Sequence, residues 1–303
     1  MKITDSLTVL ITGVSGTLGW NLAKRLAGRC RVVGTFASHE VVPQGVEGLR
    51  LDLRDSKAIV KTIEGVLPDV IVHLAALTHP DECERTPEAA FRINRDASRE
   101  IASVANRIDA KVVFASTDLV FDGRKGNYTE EDAAEPLSVY GRSKLEAEEE
   151  VLRACPEAFV FRTSLIYGFG SPVSRTFLTS LIEKLERGEP MKVFVDQKRS
   201  PILVDDLARA IVLALEKGLT GRYHIAGSEV LTRHEFARQV CEAFGFDETL
   251  LVPIKMAEFD YFAERPLDSS LDGTHFSYAS GFRPTRTVSA LGKLAENYRN
   301  QKR

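Results

Sequence analysis

The stretch Val9-Leu10-Ile11-Thr12-Gly13-Val14-Ser15-Gly16-Thr17-Leu18-Gly19 limits what this chain can fold into more than any other. An apolar strand-like run ends in three glycines spaced three apart, and a helical pattern begins at Thr17. Gly13 permits the tight strand-to-helix turn, Gly16 lets backbone approach a pyrophosphate with no Cβ in the way, and Gly19 allows close packing of the helix. Such a helix start offers unpaired N–H groups and the positive end of the helix dipole. The backbone around Ser15, Thr17 and Leu18 is therefore expected at a dinucleotide phosphate. The spacing is GxxGxxG rather than GxGxxG, and a glycine triplet alone also fits a structural turn. Its place after the first strand, opening the first helix, points to dinucleotide binding.

Downstream, short β-branched runs alternate with longer helical patterns, the mark of βαβ units and a parallel sheet. Strands are expected at Thr8–Thr12, Arg31–Phe36, Leu49–Leu51, Val70–His73, Lys111–Ser116 and Phe159–Arg162. Val70-Ile71-Val72 and Val112-Val113-Phe114 are continuously apolar, as strands covered on both faces should be. Helices are expected at Thr17–Ala27, Ser56–Glu64, Glu88–Arg107 and Ser138–Arg153. Beyond Tyr167 the pattern loosens into a helix near Arg175–Arg187, a strand at Lys192–Val195, a helix at Val204–Lys217 and a strand at Arg222–Ile225. The reading is an α/β chain: a Rossmann-type doubly wound parallel sheet over residues 1–167, with a return to it at about 192–218. Residues 168–191 and 219–303 are assigned to a smaller substrate lobe, with Gly168, Gly170 and Pro172 at the crossing.

Composition mainly excludes. A net charge of −3 across 303 residues gives no basic face for nucleic acid or an anionic membrane. No apolar run approaches the ~20 residues of a membrane span. Cys30, Cys83, Cys155 and Cys241 are far apart, without CxxC or a histidine cluster, so neither a metal site nor a disulfide framework is expected. The N-terminus runs straight into a strand-like stretch, with no signal-peptide pattern. A cytoplasmic protein is expected, and a homodimer is compatible with all of this.

The end of the second strand bears on which nicotinamide nucleotide is held. A NAD site usually places Asp or Glu there, on the ribose 2′-hydroxyl. Here Thr35-Phe36-Ala37-Ser38-His39 carries no acid before Glu40, which leaves room for a 2′-phosphate with Ser38 as a donor. No arginine is present in that segment to clamp it. NADP(H) is preferred and NAD(H) stays open.

Tyr140-Gly141-Arg142-Ser143-Lys144 sets a tyrosine and a lysine at i and i+4, on one face of a helix. Carbonyl reduction needs a proton donor at oxygen while hydride arrives at carbon. A phenol with a pKa near 10 can serve if an ammonium beside it stabilises the phenolate. A second copy of the spacing, Tyr298 with Lys302, lies at the chain terminus and is read as accidental. What distinguishes the first is Ser116-Thr117-Asp118 closing the preceding strand, where the Thr117 hydroxyl would reach the same oxygen.

With these three motifs in this order, the chain resembles the extended short-chain dehydrogenase/reductases, and among them the dTDP-4-dehydrorhamnose reductase branch. That branch also includes the regulatory β subunit of methionine adenosyltransferase. The resemblance spans nearly the whole chain and takes in Asp118-Leu119-Val120-Phe121-Asp122-Gly123, Arg162-Thr163-Ser164, and Arg265-Pro266 with Ser269 and Leu271. It implies Thr117, Tyr140 and Lys144 as the catalytic triad, with Tyr140 and Lys144 also on the cofactor. It implies Asp52 and Leu53 along the adenine, and Ala75 and Ala76 bordering the cofactor on the substrate side. Thr78, Thr117, Asp118, Leu119, Leu165 and Arg265 would meet the substrate, and Asp81 and Glu84 match polar positions of the same loop as Thr78.

Two positions depart from the branch. It reads STDYVF and RTSWVY, and here Leu119 and Leu165 replace the tyrosine and the tryptophan that lie against the sugar. The implied function is an NADP(H)-dependent reductase of a 4-keto nucleotide sugar. A non-catalytic, cofactor-binding regulatory subunit is the alternative, and a nucleotide-sugar epimerase the next. The Glu146, Glu148, Glu149 and Glu150 run reads as the wet face of the helix after Lys144, and His73 as a satisfied core histidine.

Overall fold

The computed structural model describes residues 1–302. Its first half contains β1 (Thr8–Thr12), α1 (Thr17–Leu26), β2 (Arg31–Phe36), β3 (Glu47–Arg50), α2 (Ser56–Val66), β4 (Val70–His73), α3 (Pro80–Arg85), α4 (Pro87–Phe91), α5 (Ala97–Arg107), β5 (Lys111–Thr117) and α6 (Val139–Ala154). Then follow β6 (Phe159–Thr163), β7 (Ile166–Tyr167), α7 (Phe177–Glu186), β8 (Met191–Phe194), β9 (Lys198–Arg199), β10 (Ile202–Leu203) and α8 (Val204–Lys217). The chain ends with β11 (Gly221–His224), β12 (Leu231–Thr232), α9 (Arg233–Phe244), β13 (Leu251–Ile254), α10 (Thr274–Ser280) and α11 (Thr287–Lys302).

Seven strands form one parallel sheet in the order β11-β6-β5-β4-β1-β2-β3. The order reverses between β1 and β4, and the crevice beyond the carboxyl ends of those strands is where open α/β sheets bind ligands. Both faces are covered. Leu18, Leu22 and Leu26 of α1 pack with Leu207, Ile211 and Leu215 of α8 on one. Ile59 and Ile63 of α2, Ile101 and Ala105 of α5, and Ala147 and Val151 of α6 cover the other. A smaller lobe has its own core, built from Leu178, Leu181, Phe236, Val240 and Leu291 with Tyr167.

Three expectations need correction. The return to the main sheet is made by α8 and β11, so residues 221–224, placed with the smaller lobe, pair with β6. Residues 192–194, placed with the main sheet, pair instead with β13 in the smaller lobe. Short strands carry no mark of their partner, and only the folded register decides it. The single helix expected over Glu88–Arg107 is α4 and α5 joined by a π-helical turn at Arg92–Asp96. Such turns recur at functional sites, and this one places Asn94 fully inside the protein.

Candidate active site

At the head of α1 the backbone is shaped as the glycines require. Gly13 has φ +73°, and a Cβ there would stand 3.0 Å from the backbone of Ala75, beyond β4. A Cβ on Gly19 would fall 2.3 Å from the Gly13 carbonyl oxygen, so the third glycine seats the helix on the turn itself. Gly16 caps α1 without any side-chain hydrogen bond, leaving the first N–H groups of the helix available.

This turn borders a cavity of about 690 Å³ lined by Gly13, Ser15, Gly16, Ser38, Asp52, Leu53, Ala75 and Ala76. Thr78 lines it too. Thr17 and Leu18 are not among the lining residues, and Leu18 belongs to the core. A dinucleotide fits this cradle, because a Cβ at Gly13 would close it against Ala75.

Arg50 also lines the cavity, at the end of β3 beside Ala37, whose carbonyl accepts its Nε at 3.2 Å. Sequence reading sought an arginine only along the second strand. The parallel register sets Arg50 opposite Phe36 and brings it from the third. Arg54 lies nearby but is engaged by Asp52, whose carboxyl its hydrogen bonds hold down to about 2.

A second cavity, of about 430 Å³, opens between the lobes. Asp118, Leu119, Leu165 and Arg265 line it, joined by Phe177, Phe194, Arg199, Arg233 and Tyr261, which carry no motif in the sequence. Asp118 is buried and accepts from Ser164 at 2.8 Å and Ser269 at 2.6 Å, with Arg199 3.3 Å away. The serines of the Arg-Thr-Ser and C-terminal motifs thus meet on one carboxylate.

Tyr140 and Lys144 stand on the first turns of α6, both buried. Ser138 caps that helix through Gly141 N at 3.2 Å, and Glu84 accepts from Val139 N at 2.9 Å. Gly141 is required because a Cβ there would lie 2.2 Å from the Leu119 carbonyl oxygen. That close approach brings α6 against the end of β5, where Thr117 Oγ1 donates to Asp118 Oδ1 at 3.2 Å and accepts from Leu119 N at 3.1 Å.

A chain of polar contacts ties the tyrosine to the glycine turn. Ser143 Oγ donates to the Tyr140 carbonyl at 2.8 Å and accepts from Asn94 Nδ2 at 2.9 Å. Asn94 exchanges hydrogen bonds with the Leu77 backbone, while its own carbonyl accepts from Ser98. Ser98 and Thr12 each bond a nitrogen of His73, and Thr12 Oγ1 accepts from Leu74 N and Ala75 N. His73 is the satisfied core histidine expected. The Asn94 and Ser143 contribution was not legible, because it depends on a π-helical turn.

Burial raises Tyr140 above the usual phenol range, opposed by the nearby Thr117 hydroxyl. The expected lowering of the tyrosine by Lys144 is absent. Burial instead lowers Lys144 itself to about 7, opposed by Glu148 one turn further along. Glu148 is no wet-face residue. It is fully buried, accepts from Ser116 and from Arg162 at 2.8 Å, and has Arg222 Nε at 2.7 Å in ion-pair contact without hydrogen-bond alignment.

The sheet, the glycine turn and the Thr–Tyr–Lys group define an extended short-chain dehydrogenase/reductase. The chain belongs to the RmlD substrate binding domain family, whose match runs over residues 7–300. It is 33% identical over 267 residues to the probable low-salt glycan biosynthesis reductase Agl14 of Haloferax volcanii, covering 86% of this chain and 88% of that one. Identity is also 33% over 270 residues to methionine adenosyltransferase 2 subunit beta of Danio rerio, covering 87% and 82%. The crystal structure of dTDP-4-dehydrorhamnose reductase from Bacillus anthracis in complex with NADP superimposes with a TM-score of 0.83 at 26% identity, covering 96% of this chain and 99% of that one. No described helix is long and apolar enough to cross a membrane. No group of three or more His, Cys, Asp or Glu residues among the described ones could hold a metal ion.

Proposed function

We propose that this protein is an NADP(H)-dependent reductase of a 4-keto nucleotide sugar. The observation that carries the reading is the buried Tyr140, packed with Leu119 of the inter-lobe cavity and near Thr117 and Asp118, in a family whose reductases act on such sugars. Bound NADPH would supply hydride to the sugar C4. Tyr140, held in its neutral form by burial, donates the proton to the C4 oxygen, which reduction in this direction requires. Thr117 orients that oxygen through its hydroxyl. Lys144 lies one turn along the same buried helix face and helps restore the tyrosine proton after turnover. Asn94 and Ser143 fix the first turn of α6 through the Tyr140 carbonyl.

Support for NADP comes from Arg50 and Ser38 on the adenine side of the first cavity, since a guanidinium and a hydroxyl suit a ribose 2′-phosphate. The NADP-bound relative agrees with that choice. The regulatory reading draws on the methionine adenosyltransferase relative, but the buried Tyr140 beside the inter-lobe cavity favours catalysis. Following NADPH oxidation with a panel of nucleotide 4-keto sugars tests the proposal. Consumption with at least one panel member is expected, and none with any, from protein that binds NADPH, would overturn it.

A further inference from the structure

Three guanidinium groups line the inter-lobe cavity, and two of them are already matched by an acid. Arg199 lies 3.3 Å from Asp118 and spends Nη1 on the carbonyls of Lys198 and Pro266. Arg265 donates to Asp81 at 2.9 Å. Arg233, the first residue of α9, differs. Its Nε donates to a neutral acceptor, Gln197 Oε1, at 3.2 Å, its guanidinium stands 4.6 Å from the centre of the Phe177 ring, and its buried Nη1 has no hydrogen-bond partner. Burial, and after it the charge of Arg199, pull Arg233 down to about 10, so it stays charged at neutral pH among like charges.

A buried cationic donor without an acceptor is costly in a folded protein, and the cavity it lines is where its acceptor would come from. Lys192 of β8 lines the same cavity and forms no ion pair among the described residues. Two positive charges therefore form no ion pair among the described residues, which suits a dianion better than a single carboxylate. The planar fork of an arginine binds phosphate oxygens in pairs. The remaining lining divides into apolar Leu119 and Leu165 and an aromatic group, Phe194, Phe259 and Tyr261, whose rings lie 4.7–5.7 Å apart.

We infer that Arg233 is a specificity-determining residue of this site, the guanidinium that takes the diphosphate of the nucleotide-sugar substrate. The inference rests on the reductase reading above and assigns the anion of that substrate to one residue. Arg199 and Arg265 are held by their own carboxylates, so Arg233 is the guanidinium that meets the incoming charge without an ion-pair partner of its own.

The test is calorimetric titration of NADP-loaded protein with thymidine, uridine and guanosine diphosphates and the matching nucleosides. Wild type, Arg233→Met and Arg233→Lys would be compared. The best diphosphate should lose tenfold or more in affinity in Arg233→Met and less in Arg233→Lys, with the nucleoside and NADPH affinities unchanged in both. NADPH binding also reports that each variant has folded. If Arg233→Met binds the diphosphate as wild type does, the assignment to Arg233 is wrong and the reductase reading stands. If wild type binds none of the diphosphates, both fall together.

Discussion

Asp81 Oδ1 accepts from Arg265 Nη2 at 2.9 Å and from Ala263 N at 3.1 Å, so one carboxylate oxygen clasps the segment after β13 to α3. The segment carries Phe259, Tyr261 and Arg265 over the inter-lobe cavity, and Arg85 stands 4.9 Å from the centre of the Phe262 ring at its edge. The clasp joins the two lobes beside the proposed reaction centre. Because the pair is partly exposed, its stabilisation of the whole fold is modest, on the order of 1 kcal/mol or less. Its effect should be local. Asp81→Ala is expected to raise KM for the sugar substrate severalfold, leave NADPH affinity unchanged, and speed proteolytic nicking within residues 256–267. An unchanged nicking rate would show that the segment is held by other contacts.

The cofactor choice rests on a different arginine. Arg50 is exposed, and its Nε is pinned to Ala37, which leaves the rest of the guanidinium facing the cavity. A hydrogen bond to a charged group contributes roughly 1.5–3 kcal/mol, so Arg50→Ala should weaken NADPH binding about tenfold to a hundredfold. NADH, which lacks the 2′-phosphate, should bind the variant as it binds wild type. Equal losses for both nucleotides would remove Arg50 from the phosphate site.

Tyr140→Phe removes the proposed proton donor and retains the ring that packs with Cys83, Ala90 and Val139. General acid catalysis is typically worth 10²–10⁴-fold, so turnover should fall by about that factor while NADPH affinity stays within about twofold. Lys144→Ala should reduce both turnover and cofactor affinity. Retention of more than about a tenth of wild-type turnover in Tyr140→Phe would move the proton to another group.

The fold was legible wherever local pattern and global architecture agree. Val70-Ile71-Val72 reads as a doubly covered strand and is one, and Gly13 reads as a turn that only glycine can make. The Tyr140–Lys144 helix face was readable from spacing alone. What escaped depends on contacts between distant segments. Glu148 lies in an acidic run that looks solvated, yet Arg162 and Arg222 come to it from β6 and β11. Arg50 reaches the cofactor cavity only through the pairing of β2 with β3. Arg199 stands in a two-residue strand and Arg233 at the head of α9, neither within a recognisable motif, and the smaller lobe gathers them.

Acid should destabilise the protein through its buried histidines. His73 is held down to about 3, by burial first and by the Lys144 charge second, and His224 to about 4, by burial first and Arg162 second. In the unfolded chain both take up protons near about 6.5. Between that value and the folded ones the unfolded state binds more protons, so stability falls as pH falls. His73→Asn cannot titrate. Its stability deficit against wild type, read from urea midpoints, should shrink as pH drops from about 7 to about 5. A deficit that stays constant would mean His73 does not contribute to the acid sensitivity.

Leu119 and Leu165 line the inter-lobe cavity, at the two positions where the reductase branch carries a tyrosine and a tryptophan. A leucine fills space but offers neither ring stacking nor a hydrogen-bonding group, each worth on the order of 1 kcal/mol. Together the losses should weaken binding of a dTDP-linked 6-deoxy-4-keto sugar by roughly tenfold to a hundredfold. Aromatic contact with this cavity is still supplied by Phe177, Phe194, Phe259 and Tyr261. The deficit is therefore expected in recognition of the sugar, beside Asp118 and the Thr117 and Tyr140 hydroxyls. Wild-type protein should turn over dTDP-4-dehydrorhamnose poorly, through a raised KM more than a lowered kcat. The double substitution Leu119→Tyr with Leu165→Trp should recover part of the loss. Steady-state kinetics on that one substrate decide the matter. A wild-type kcat/KM within the usual enzyme range of about 10⁴–10⁸ M⁻¹s⁻¹ would mean the leucines already shape a competent pocket for this sugar.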